Sequence, residues 1–94
     1  MLSFAGCFHG RSMGALSSHA EAQREPFLPL LPEFEQLPFG DLDALDRAMD
    51  EQTAAVIVEP VQGEGGIRIV SDQLLRQIRD LCDQRGALLI LDEI

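Results

Sequence analysis

Two unbroken apolar runs with one amphipathic helix pattern between them constrain this chain more than any other feature. Residues 54–58 (Ala-Ala-Val-Ile-Val) and 87–91 (Ala-Leu-Leu-Ile-Leu) show no polar alternation, which is the pattern of strands covered on both faces. Between them, residues 72–85 carry Leu74, Leu75, Ile78, Leu81 and Cys82 on one stripe. Ser71 stands at the N-cap position, and Asp72 and Arg85 complement the helix dipole. Gly86 suits the left-handed residue that ends a helix. A strand, a helix and a second strand of these lengths make parallel neighbours with a right-handed crossover. The fold class is therefore α/β.

The remaining elements are weaker. Residues 2–5 read as a strand, and residues 6–14, with three glycines, as a loop running toward a short helix. Pro26, Pro29, Pro32 and Pro38 bias their predecessors away from helix, so residues 25–39 read as an extended excursion over a surface. Phe27, Leu28, Leu30, Leu31 and Phe34 would anchor it on something apolar. Asp41 can cap a helix over residues 42–52, with Leu42, Leu45 and Met49 on one face. Residues 61–69, holding Gly63, Gly65 and Gly66, read as a loop.

With a formal net charge of -9 and a pI near 4.4, the chain is a poor partner for nucleic acid or anionic membrane, whose phosphates need clustered Lys and Arg. No apolar run reaches the length of a membrane span. Cys7 and Cys82 have no metal-ligand or C-x-x-C spacing, so a reduced, cytoplasmic setting is the simpler expectation. Both ends fall on strand-like segments, whereas domain termini normally lie at the surface. The expectation is a partial domain over residues 1–94, truncated at both ends.

In a parallel sheet, ligands bind beyond the carboxyl ends of the strands. Three segments change character there: Gly6 to Arg11 after the first strand, Glu59 to Gly66 after the second, and Asp92-Glu93 after the third. Asp92 follows four bulky apolar residues, so its carboxylate needs a cationic partner or a metal to stay ionised. The alternatives are a helix N-cap or an acceptor for backbone N–H groups. Glu59 poses the same problem, with an ordinary salt bridge as its alternative. Taken alone, His9 is more often a packed or surface histidine than an acid–base group, and Phe8 more often a core residue than a stacking platform. The convergence of an aromatic ring, a basic side chain and carboxylates on one crevice is the stronger signal.

Four stretches together resemble the class-III, fold-type-I aminotransferases, and within them the acetylornithine and succinylornithine branch. They are Phe8-His9-Gly10-Arg11 running on to Leu16-Ser17; Pro26-Phe27-Leu28-Pro29-Leu30 followed by Phe39-Gly40-Asp41-Leu42; Val56-Ile57-Val58-Glu59-Pro60-Val61-Gln62-Gly63-Glu64-Gly65-Gly66; and Leu88-Leu89-Ile90-Leu91-Asp92-Glu93. The resemblance implies part of the large, mainly parallel-sheet cofactor domain of a pyridoxal 5'-phosphate enzyme. By motif match, Asp92 would pair with the pyridine nitrogen and Phe8 would stack on the ring. Arg11 would hold a substrate carboxylate. Glu59 would pair with an arginine elsewhere in the enzyme, and Glu64 would sit near the same mouth. The resemblance further implies a small-molecule amino donor of the acetylornithine kind, 2-oxoglutarate as the 2-oxo acid acceptor, and a homodimeric parent. The family's Schiff-base lysine has no counterpart here, since all seven basic residues are arginine. The chain by itself is expected to be inactive.

Two other readings stand beside this one. Residues 88–93 also have the form of a Walker B strand, four apolar residues and then Asp-Glu. The companion G-x-x-x-x-G-K-[ST] motif needs a lysine that the chain lacks, and this reading leaves Phe8 to Arg11 and Glu59 to Gly66 unexplained. A non-catalytic acidic interaction module would use Phe27, Leu28, Leu30, Leu31 and Phe34 as an exposed docking strip.

Overall fold

The strand-helix-strand unit forms as its pattern requires. A computed structural model describes residues 1–94. Strand β3 (Ala55–Val58), helix α4 (Asp72–Arg85) and strand β6 (Leu88–Leu91) follow in order, and β3 pairs with β6 in parallel from Ala55↔Leu88 to Val58↔Leu91. The α4 boundaries are set by side-chain chemistry. Ser71 Oγ accepts from the Leu74 N–H at 3.1 Å, an N-cap bond that contributes about 1 kcal/mol. Gly86 takes φ 70° at the other end, and its N–H donates to the Cys82 carbonyl.

Strand β1 (Leu2–Phe4) lies on the other side of β3 and pairs with it in parallel. The sheet has a fourth strand that the prolines concealed, β2 (Glu35–Leu37), parallel to β1 in the register Leu2↔Glu35 to Phe4↔Leu37. The sheet order is β2-β1-β3-β6. The stretch leading to β2 is not wholly extended: it holds α2 (Glu21–Arg24) and a 3-10 turn at Glu25–Phe27, which tolerates Pro26 at its start. Phe27, Leu28 and Leu31 remain exposed at 61%, 54% and 44%, so this chain does not itself supply the apolar surface expected beneath them.

One face of the sheet presents Leu2, Phe4, Leu37, Val56 and Val58 to helices α3 (Leu42–Ala48) and α4, whose Leu45, Ile78 and Cys82 complete the core. Helix α3 is shorter than its apolar spacing implied. Met49 ends it because Asp50 and Thr53 satisfy each other locally: the Asp50 N–H donates to Thr53 Oγ1, and the Gln52 N–H donates to Asp50 Oδ1. Such side-chain turns compete with helix propagation. Arg85 then ties the end of α3 to α4 through the Asp46 carboxylate and the Met49 carbonyl. The opposite face carries Ser3 and Gln36, which both donate to the Ser18 carbonyl just after helix α1 (Met13–Ser17).

The two apolar strands differ in burial. Ala55, Val56 and Val58 of β3 are buried, as expected for a central strand. Strand β6 is instead the sheet edge. It pairs only with β3 and is covered by α4 on one face, leaving Leu88 70%, Ile90 38% and Leu91 45% exposed. An open apolar edge is a template for further strand pairing. The isolated 94-residue chain is expected to self-associate at micromolar concentration, and Leu88→Lys with Ile90→Lys to shift it toward monomer in light scattering. A wild-type chain that stays monomeric would show that this edge is protected.

Candidate active site

All strands of the main sheet are parallel, so the residues that follow β1, β3 and β6 emerge along one edge. The β3–β6 ladder runs one step further, with the Asp92 N–H donating to the Val58 carbonyl at 2.9 Å. That bond fixes Asp92 beside Glu59. Phe8, Glu59, Glu64 and Asp92 line one cleft of about 400 Å³, within the size range of small-molecule sites. No lysine or arginine lines it, so the cleft is electronegative.

Asp92 has a partner that the spacing of residues did not reveal. His9 Nδ1 lies 2.9 Å from Asp92 Oδ2, and the two side chains are 2% and 21% exposed. A carboxylate oxygen only accepts, so His9 Nδ1 carries the hydrogen. His9 Nε2 is buried without a hydrogen-bond partner. His9 is thus a packed histidine and also the group that orients Asp92. Asp92 Oδ1 is nearly free, with only the Ile94 N–H at 3.5 Å.

The backbone that carries Phe8 and His9 is held by two further side chains. Glu59, 9% exposed, accepts the Phe8 N–H on Oε2 at 3.0 Å. His19, 1% exposed, accepts the His9 N–H on Nε2 at 2.9 Å. Burial, and to a smaller extent the neighbouring His9, lower the His19 pKa from its ordinary value. The His19 and Phe8 rings pack with centroids 5.2 Å apart. Burial also raises the Cys7 thiol, held among Gln36 and Ser18, above the usual range.

Residues 61–69 form a hairpin rather than a simple loop. Strand β4 (Val61–Gln62) pairs antiparallel with β5 (Arg68–Ile69). Gln62 Nε2 and Arg68 Nη2 both donate to the Ala5 carbonyl, at 3.0 and 2.8 Å, and Arg68 also lies over the Phe39 ring. This clamp draws the hairpin against the turn after β1. A Cβ on Gly65 would come within 2.8 Å of the Gly6 carbonyl oxygen, whereas Gly63 and Gly66 have open space. Gly65 therefore serves chain packing, and Glu64 is left exposed at the tip beside the cleft.

Arg11 does not join the carboxylates. It is exposed and lines an adjoining cavity of about 580 Å³ with Phe8, His19 and Phe27. The single crevice expected from the sequence is two cavities that share Phe8 as their common wall.

The family model for aminotransferase class-III matches residues 1–94. The chain is 57% identical, over 99% of its length, to the acetylornithine aminotransferase of Methanopyrus kandleri, and 50% identical, over all of it, to that of Rhodobacter capsulatus. It spans 24% of each of those proteins, about a quarter of the curated relatives it matches. The ornithine aminotransferase of Toxoplasma gondii superposes with a TM-score of 0.89 at 36% identity, over 99% of this chain and 23% of that one. A second structure of that enzyme shows partial occupancy of PLP at its active site. The parallel sheet, the cleft at its carboxyl edge and these likenesses agree: the chain belongs to the class-III aminotransferase family.

Proposed function

We propose that this chain forms one wall of a pyridoxal 5'-phosphate site in an aminotransferase that moves an amino group from an acetylornithine-like donor to 2-oxoglutarate. The observation that carries this reading is Asp92. A carboxylate oriented by His9, with its second oxygen nearly free, faces a cleft that has no cationic side chain. A protonated pyridine nitrogen supplies the charge and the single N–H that such an oxygen accepts. When bound, the cofactor draws electrons from the carbon that bears the amino group.

The chain's own residues then have separate tasks. Asp92 would be the counter-charge to the ring nitrogen, and His9 keeps that carboxylate in one orientation. Phe8 offers a flat apolar face. Arg11, in the adjoining cavity, is the fork for a substrate carboxylate, and an α-carboxylate on the donor suits it. Glu59 would pair with an arginine elsewhere in the enzyme, a pair that bears on which end of the substrate is recognised, and Glu64 stands exposed beside the same cleft. The exposed Phe27, Leu28 and Leu31 support a homodimeric parent in which this strip is covered. The two free, buried cysteines support a cytoplasmic setting.

The test is a hybrid enzyme in which this chain replaces the matching quarter of the Methanopyrus kandleri protein. Glutamate formation from acetylornithine and 2-oxoglutarate is expected, with the parallel double-reciprocal plots of a ping-pong reaction. The 94-residue chain alone is expected to give neither turnover nor a shift in cofactor absorbance, because it contains no lysine. A hybrid that folds as its parent does yet shows no transamination and no cofactor absorbance band would sink the reading.

A further inference from the structure

We infer that His19 is a positioning residue for this site: as a neutral imidazole it holds the His9 main chain, and with Glu59 it fixes both the stacking face of Phe8 and the donor that orients Asp92. The inference rests on the cofactor-site reading above and extends it to a residue that does not itself line the cleft that holds Asp92.

Phe8 and His9 are adjacent, and their amides are taken by two different side chains. Glu59 Oε2 accepts from Phe8 at 3.0 Å, and His19 Nε2 accepts from His9 at 2.9 Å. Glu59 comes from the end of β3, and His19 from the residues just after α1. This stretch lies between a left-handed Gly6 and a left-handed Gly10, so it has no ladder or helix partners of its own. The two side-chain acceptors are what satisfy these amides. Fixing both successive N–H groups fixes the peptide plane between the residues. That plane sets where the Phe8 ring lies and where His9 Nδ1 meets Asp92, at 2.9 Å.

Accepting a backbone N–H restricts His19 to one form. An imidazolium has only donors, so Nε2 must hold a lone pair and the hydrogen must sit on Nδ1. The lowered basicity of this buried ring agrees with that form. His9 has the opposite assignment to make, since its Nδ1 donates to a carboxylate. The two histidines, with ring centroids 6.3 Å apart, therefore divide the work: one is an acceptor for the main chain and the other a donor to Asp92.

A ring that merely fills space and a ring that accepts a hydrogen bond respond differently to substitution. His19→Phe keeps an aromatic ring against Phe8 and removes the acceptor. His19→Gln removes the ring and keeps an acceptor near the position of Nε2. In the hybrid enzyme, His19→Phe is expected to weaken pyridoxal phosphate binding on the order of 10-fold, the cost of stranding one buried amide, while His19→Gln stays within about threefold of wild type. In the cofactor-free protein, hydrogen exchange of the His9 amide is expected to be fast in His19→Phe and slow in wild type and His19→Gln. This second readout stands whether or not the hybrid is active, so loss of the cofactor-site reading and loss of the clamp are told apart. The inference fails if the His9 amide exchanges alike in wild type and His19→Phe. It fails equally if His19→Phe binds cofactor as wild type does while His19→Gln is impaired, the pattern of a packing ring.

Discussion

In the hybrid enzyme, Asp92→Asn is expected to lower kcat/KM on the order of 10²- to 10³-fold, the cost of leaving a partly buried cation without its counter-charge. The substitution is nearly isosteric. The asparagine carbonyl can still accept from His9 Nδ1, which lies 2.9 Å from Oδ2 in the native chain. The geometry of the cleft is therefore retained, and the charge facing the ring nitrogen is what disappears. Stopped-flow measurement of each half-reaction is the direct check, with the loss expected in kcat for both halves rather than in substrate binding. Unchanged kinetics would remove Asp92 from the site.

The second large effect is expected on stability. Gly6→Ala should destabilise the fold by about 3 kcal/mol, combining left-handed strain with the loss of a charge-assisted hydrogen bond. Gly6 has φ 83°, and a Cβ there runs into the Arg68 guanidinium and comes within 2.8 Å of Gln62 Oε1. Arg68 Nη2 and Gln62 Nε2 donate to the Ala5 carbonyl, Gln62 Oε1 accepts from Arg68 Nε, and these bonds pin the β4–β5 hairpin. Moving the guanidinium aside costs its bonds to that carbonyl and to Gln62 Oε1. Gly66→Ala is the control. Its φ of 96° is also left-handed, but nothing lies within 4 Å of its Cβ position, so it should lose only the strain, about 1–2 kcal/mol. Thermal midpoints of the two variants decide the matter: equal shifts would mean that the hairpin's close approach contributes nothing.

What the sequence made legible follows the range of the forces involved. Helix α4 is readable to the residue because Ser71, the apolar stripe and Gly86 act within a few positions of one another. Strands β3 and β6 are readable because a run of β-branched and aliphatic residues leaves little else to form. Strand β2 is not, since Glu35, Gln36 and Leu37 have no alternation of their own and prolines stand on either side. Only pairing with β1 makes them a strand. The difference in burial between β3 and β6 is likewise a property of their places in the sheet. Within the site, Phe8, Glu59, Glu64 and Asp92 were brought to one cleft as their strand ends implied. The roles of His9 and His19 were hidden because their partners lie 83 and 10 positions away in the chain. No local pattern distinguishes a histidine that meets such a partner from one that does not.

The parallel order of the sheet also governs when the cleft can exist. A parallel pair cannot close as a hairpin, so each pairing in β2-β1-β3-β6 brings together segments far apart in the chain. The hydrogen bond from His9 to Asp92 spans 83 positions of the chain. On a ribosome, the N-terminal side of the cleft emerges long before the carboxylate that completes it, and β6 must dock before the two meet. Such non-local closure is slow and leaves strand edges exposed while it waits. The His9–Asp92 contact is thus a marker that β6 has docked on β3, and its appearance during synthesis would time the moment at which this wall of the cleft takes shape.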